Sequence, residues 1–275
     1  MSNINKNKKK LNKIMDKYNL TSYEKNELFG IINKIFSHKE FQNRMTCKFM
    51  HHGKITLGYH ILQVTVVTYS LCKMNQEKVN LQLALYIAMM HDLYSKPWQN
   101  NIKEKAKKIS NKHGFRHPLE SVINSLIWYK EIFDNFQYSY DLIDGIIHHM
   151  YPFPVRIFQN YNENVLELKN FEIIKNIDKK YIDYIIDTTN INKIGNFSYS
   201  KPKTKEGKIV LKADKMVSIG NFDSINDLKA CITGKNKNIK YKKITEHSKK
   251  RWMRRMSDIL PVCMQDFLYC RKPDM

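Results

Sequence analysis

Eight of the ten histidines fall between residues 51 and 149, on or beside segments whose apolar patterning predicts core helices rather than in the polar ends of the chain. A neutral imidazole binds a divalent metal through either ring nitrogen, and a carboxylate adds compensating charge. His60, His91, Asp92, His117, His149 and Asp214 are placed at or near the ends of five separate predicted helices, facing inward. That arrangement can surround a metal ion. A lone histidine on an apolar stripe is ordinarily a hydrogen-bonded core residue, but six such groups together read as a ligand set.

The elements that must position them are helical. A capping-box pattern at Thr21 and Glu24 predicts a helix to about residue 36, after a basic helical segment over 5–17. Over 57–74, His60, Val64, Val67 and Leu71 recur at helical spacing, so His60 lies on an inward stripe. The run 81–90 (LQLALYIAMM) is apolar almost all round and predicts a buried central helix that delivers His91 and Asp92 to a cavity wall. Pro118 reads as the first residue of a helix to about residue 133, and a further helix over 141–150 stops before Pro152 and Pro154. An amphipathic helix is expected over 171–186, a turn-rich loop over 198–207, and a core helix carrying Asp214 from Gly207 onward.

With 42% hydrophobic and 12% aromatic residues and only 9 Gly and 7 Pro in 275, the composition excludes disordered, collagenous and linker-like chains and favours helices. Lys+Arg 47 against Asp+Glu 26 gives a net charge of +21, concentrated outside the nearly balanced middle of the chain. Such a charge suits polyanionic partners, although a lysine-rich codon bias also produces it. The five cysteines are scattered without a paired motif, so neither a disulfide framework nor a zinc ribbon is suggested. Together with the absence of a secretory leader pattern or an apolar run of about 18 residues, this predicts a cytoplasmic protein without a transmembrane segment.

Five motifs in order carry a resemblance: HHG followed by His60 (His51, His52, Gly53), MMHDLYSKPW (Met89 to Trp98), HGFRHP (His113 to Pro118), HHMYP (His148 to Pro152) and ADK (Ala213 to Lys215). They resemble the HD-domain superfamily of metal-dependent phosphohydrolases, closest to a bacterial branch of mostly uncharacterised members. The resemblance implies an all-α HD-domain helical bundle with a metal site at its centre. It implies that His60, His91, Asp92 and Asp214 bind a first metal, that His117 and His149 bind a second, and that Asp92 bridges them and serves catalysis. His148 is then expected to support the ligands from behind, or to be the ligand in place of His149 if the register differs by one; Glu120, three residues after His117, reads either as a further supporting acceptor or as an ordinary charge near a helix N-terminus. The chain departs from the family after the HD pair, at Leu93, Tyr94, Ser95 and Lys96, and His149 and Asp214 stand 65 residues apart, a long interval that marks 155–206 as an insertion. The expected organisation is an N-terminal helical lead-in over 1–38, a catalytic domain over 39–222 and a basic helical extension over 223–275.

The reaction expected is hydrolysis of a phosphate ester, of a nucleotide or cyclic nucleotide, by metal-activated water. One or two divalent ions serve it (Mn, Fe, Co, Ni or Zn). Lys96 and Lys215 are candidates for catalytic contacts to the phosphate or leaving group, and His52, His113, Arg116 and Trp98 for binding an anionic, phosphate-containing small molecule. Two readings compete. Residues 235–255 carry ten Lys/Arg against one Glu, with Tyr241 and Trp252 interleaved, a pattern suited to nucleic acid or to an anionic membrane surface. That reading makes the HD fold structural or inactive, whereas a di-iron oxygenase keeps the ligands and changes the chemistry.

Overall fold

In the computed structural model, residues 3–52, 55–75, 78–95, 113–158 and 176–219 are described. Ten helices account for most of these: α1 (Asn3–Lys17), α2 (Ser22–Phe36), α3 (Lys39–Arg44), α4 (Leu57–Met74), α5 (Leu81–Met90), α6 (His113–Trp128), α7 (Lys130–Asn135), α8 (Ser139–His148), α9 (Lys179–Asn190) and α10 (Lys205–Ile219). Five short strands join them. β1 (Met50–His52) and β2 (Ile55–Thr56) form an antiparallel hairpin, and β3 (Val155–Arg156), β5 (Phe197–Ser198) and β4 (Lys193–Ile194) form a small antiparallel sheet with β5 in the middle. No described helix is long and apolar enough to cross a membrane.

The core is built around α4 and α5. The predicted apolar stripe of α4 is buried, and so is most of the rest of that helix, because α1, α3, α5 and α10 pack around it. α5 is buried from Leu83 to Met90, as its all-round apolar sequence requires, and it also touches α2, α6, α8 and α10. The capping box at Thr21 forms: the Thr21 N–H donates to Glu24 Oε2 (2.8 Å), and the Glu24 N–H donates to Thr21 Oγ1 (3.3 Å). Side chains of α1 and α2, including Leu11, Ile14, Leu28 and Ile32, belong to the same continuous core as those of α4 to α10.

Several boundaries differ from those expected. α6 begins at His113 and carries Pro118 inside it. Pro118 has no N–H, so one intrahelical bond, to the Gly114 carbonyl, is missing in the second turn of the helix. α6 stops at Trp128 and a separate short helix, α7, follows. The helix expected over 171–186 starts at Lys179, because Asp178 caps it through the Lys180 N–H (3.0 Å), and it runs on to Asn190. Its inward face carries Tyr181, Ile182 and Ile185. The loop expected over 198–207 is shorter than predicted, since α10 starts at Lys205. Within 155–206, the described residues form the three-stranded sheet and α9, which packs on α8. The proposed extension over 223–275, including 235–255, lies outside the described residues.

One close approach fixes the start of α4. A Cβ added to Gly58 would stand 2.6 Å from Met45 Sδ and 2.9 Å from the Arg44 carbonyl carbon, and the backbone of α3 cannot yield as a side-chain end can. Gly58→Ala is expected to destabilise the protein by about 1–3 kcal/mol, the usual range for forced overpacking. Thermal unfolding measures it, and an unchanged melting temperature would show that the α3–α4 contact relaxes freely.

Candidate metal centre

Two helices end at the same place. His91 is the C-terminal cap residue of α5 and His149 that of α8, and each directs its Nδ1 toward the carbonyl three residues back: Ala88 (2.7 Å) and Ile146 (2.7 Å). A carbonyl only accepts, so in both rings Nδ1 is the protonated nitrogen and Nε2 carries a lone pair. The same logic holds in α6, where His117 Nδ1 donates to the His113 carbonyl (3.1 Å). His60 sits in the first turn of α4, behind the Thr56 cap whose hydroxyl accepts from the Tyr59 N–H (3.3 Å). Asp214 projects from the buried side of α10 between Ala213 and Met216, and Ser218 Oγ donates to its Oδ1 (3.3 Å).

These groups converge on Asp92. Its Oδ1 lies 3.3 Å from His117 Nε2 and 3.7 Å from His149 Nε2. Its Oδ2 lies 3.5 Å from His91 Nε2 and 3.7 Å from His60 Nε2. Asp214 Oδ1 is 3.1 Å from His60 Nε2 and 3.8 Å from His91 Nε2. The six expected ligands are thus brought together, with one carboxylate between two clusters: Asp92, His117 and His149 on one side, and His60, His91 and Asp214 on the other. Residues separated by 154 positions in the chain meet here.

The donor set suits a cation better than it suits itself. His117 Nε2 and His149 Nε2 face each other at 3.2 Å. With both Nδ1 atoms donating elsewhere, a hydrogen bond between them requires one ring to be doubly protonated. Burial opposes that: it holds the His117 imidazole well below its ordinary pKa, with His113 and His149 adding to the effect, and it lowers His149, helped by His91. Burial likewise brings His91 down to about 4, and its Nε2 is enclosed with no hydrogen-bond partner among the described residues. The negative ends of α5 and α8 also point at the centre, which favours positive charge there. Burial penalises the charged form of His60 too, yet the hydrogen bond and charge of Asp214, joined by Asp92, outweigh it and raise its pKa. Asp214 is pushed well below the carboxylate range: burial opposes this, but the His60 hydrogen bond and the His60, His91 and His149 charges prevail. A proton on His60 and a divalent cation are therefore alternative ways to neutralise Asp214. Imidazole nitrogens and carboxylate oxygens in this number fit a transition-metal ion.

The turn that presents Asp92 is held by three side chains that sequence reading did not connect with it, or connected only loosely. Arg44, fully buried at the end of α3, donates from Nη2 to the Tyr94 carbonyl (2.8 Å) while its guanidinium lies over Trp128. Asn124 Nδ2 donates to the Leu93 carbonyl (2.7 Å), and Glu120 Oε1 accepts from the Ser95 N–H (3.0 Å). Glu120 thus braces the chain beyond Asp92 instead of a histidine. Glu120 and Asn124 are one turn apart on α6, the helix that also carries His117, so one helix supplies a candidate ligand and the brace for its partner.

The other expected site residues are dispersed. His113 stacks on His117 (centroids 5.0 Å apart) and meets the edge of Tyr94. Arg116 is buried, its Nε 3.9 Å from Glu120 Oε2. His148 Nδ1 donates to Asp144 Oδ1 (3.1 Å), and Asp144 Oδ2 accepts from the Lys203 N–H (2.7 Å), so this pair ties α8 to the segment before α10. Lys215 is half-buried next to Asp214, and burial lowers its pKa against the pull of that carboxylate. Lys96, Trp98 and the His52 side chain lie outside the described residues. His51, which sequence reading passed over for His52, has Nδ1 3.9 Å from Asp92 Oδ2. No family model, curated protein or solved structure matches the chain.

The buried rings make the metal-free protein acid-sensitive. Burial brings folded His91 and His113 down to about 4 against 6.5 for the ordinary group, so between those values the unfolded chain binds more protons and stability is lost as the pH falls. His117 and His149 act in the same direction. His60 acts oppositely, since its raised pKa gives stability that is present below 6.5 and lost as pH rises through the folded value. Asp214 contributes above its ordinary carboxylate value and matters only in stronger acid. Four lowered rings against one raised ring predict a melting temperature, measured in chelator, that drops from about pH 7 to about pH 5. A flat or rising profile would contradict the neutral, inward-facing rings.

Proposed function

We infer that the chain is a metal-dependent hydrolase of phosphate esters, with the HD-type ligand order His60, His91, Asp92, His117, His149 and Asp214 at its centre. The observation that carries this reading is the position of Asp92, whose two carboxylate oxygens face separate groups of histidines. When bound at such a site, a divalent ion lowers the pKa of coordinated water from about 15.7 toward about 7 and polarises a phosphoryl oxygen. The protein's own part is positioning. His91, His117 and His149 are locked by their Nδ1 hydrogen bonds so that each Nε2 faces the centre. Asp92 is fixed by the braced turn behind it and supplies negative charge that both clusters share. Lys215, half-buried in the chain next to Asp214, and Lys96 are the cations proposed to contact the phosphate.

The net charge of +21 supports an anionic substrate, and a nucleotide or cyclic nucleotide is the class proposed. The test is phosphate or nucleotide-monoester release across a nucleotide panel, with Mn, Fe, Co, Ni or Zn supplied in turn, by wild type and by Asp92→Ala. Wild type is expected to turn over one class of phosphate ester with at least one metal, and the variant to lose about 10²-fold or more, the scale of removing a central charge-stabilising group. No turnover with any metal, together with salt-sensitive retention on nucleic acid in the presence of chelator, would replace the hydrolase with the basic nucleic-acid-binding reading.

A further inference from the structure

The β1–β2 hairpin is irregular at one residue. Met50 pairs with Thr56 and His52 with Ile55, so two steps along β1 oppose one step along β2, and His51 is the extra residue of a β-bulge. A bulge turns a side chain away from the direction that simple alternation would give it, and such bulges concentrate beside functional sites. Here the turned side chain is an imidazole. Its ring stacks on that of His60, with centroids 4.0 Å apart and planes 23° apart, and its Nδ1 lies 3.9 Å from Asp92 Oδ2. Side-chain exposure is 14%, so the ring is largely enclosed.

The hairpin is also tied to the helix that carries His60. The Leu57 N–H donates to the Phe49 carbonyl (2.6 Å), closing the base of the hairpin at the first residue of α4. Thr56, the last residue of β2, caps α4. His51 and His60 are therefore set relative to each other by the bulge, the Phe49–Leu57 bond and the Thr56 cap, all close to the two rings in the chain. His51, His60 and Asp92 form a third group whose ligand atoms lie within 4.8 Å of one another.

We propose that His51 is an additional metal ligand, supplied through Nδ1 from the bulged hairpin to the Asp92 Oδ2 side of the centre. The proposal rests on the reading of the centre as a metal site. It gives the hairpin a definite job, as a strap from outside the helical core that completes the coordination on the side where His60, His91 and Asp214 already meet. It also makes one face of the centre richer in ligands than the other. The Asp92 Oδ2 side gathers His51, His60, His91 and Asp214, whereas Oδ1 faces His117 and His149.

The test uses cobalt(II) as a probe on the full chain, because its visible bands report the number and type of ligands. Wild type, His51→Ala and His51→Gln are stripped of metal and titrated with cobalt, and the melting temperature of each metal-free protein is recorded alongside. The expected result is a loss of cobalt affinity of at least about tenfold in both variants, comparable to or larger than losses seen on disturbing groups around a metal. The visible spectrum should change as well, and the metal-free melting temperatures should match wild type. Wild-type affinity and an unchanged spectrum in either folded variant would overturn the proposal while leaving the metal centre standing. Failure of wild type itself to bind cobalt would overturn both. Should His51→Ala fold poorly, His51→Gln retains a planar polar side chain and decides the question.

Discussion

The structure is organised around a crowd of hydrogen-bond acceptors that cannot satisfy one another. Asp92 and Asp214 are carboxylates, and three of the imidazoles around them present lone pairs because their other nitrogen already donates to a backbone carbonyl. Two of those lone pairs face each other at 3.2 Å, away from water. Buried polar groups without compensation are costly, and buried charges more so. A proton shared between His60 and Asp214 relieves part of the conflict. These buried His and Asp groups could hold a divalent cation, and the helix ends that converge at His91 and His149 favour positive charge there.

Holding such a centre requires rigidity in the elements that supply it, and most of the surrounding structure can be understood in those terms. α4 and α5 are buried on nearly every side, so the residues at their ends have little freedom. Gly58 lets α3 press against the start of α4 and brings Arg44 within reach of the Tyr94 carbonyl. Arg44, Asn124 and Glu120 then pin successive residues of the turn after Asp92. On the opposite side, Asp144 joins His148 to the Lys203 backbone and so sets the entry to α10, which brings Asp214 in. Each brace satisfies a backbone group that the irregular chain near the centre leaves without a helical partner.

Much of this was legible in the sequence because it rests on periodicity and chemistry. The apolar runs before His91 and before His148–His149 announce helices that end on histidine, and the six expected ligands meet at one place. What could not be read depends on contacts between distant segments or on departures from regular geometry. Arg44 looks like one surface cation among many until Trp128 and Tyr94 close over it. The spacing of Glu120 from His117 suggests an acceptor for a histidine, but the group within its reach is the Ser95 N–H. His51 has no expected role beyond its place in the HHG motif, and the bulge that turns it toward Asp92 has no signature in a three-residue strand. Pro118 is not the start signal that its residue type suggests, since it lies in the second turn of α6.

The central claim is that the buried acceptors around Asp92 hold a divalent cation through imidazole nitrogen. X-ray absorption at the metal edge, on wild-type protein loaded with metal and then desalted, tests it most directly. The account predicts retained metal in a shell of nitrogen and oxygen with the outer-shell scattering of several histidine rings. Protein that leaves the column without metal, or that retains metal in a shell lacking imidazole, would contradict it.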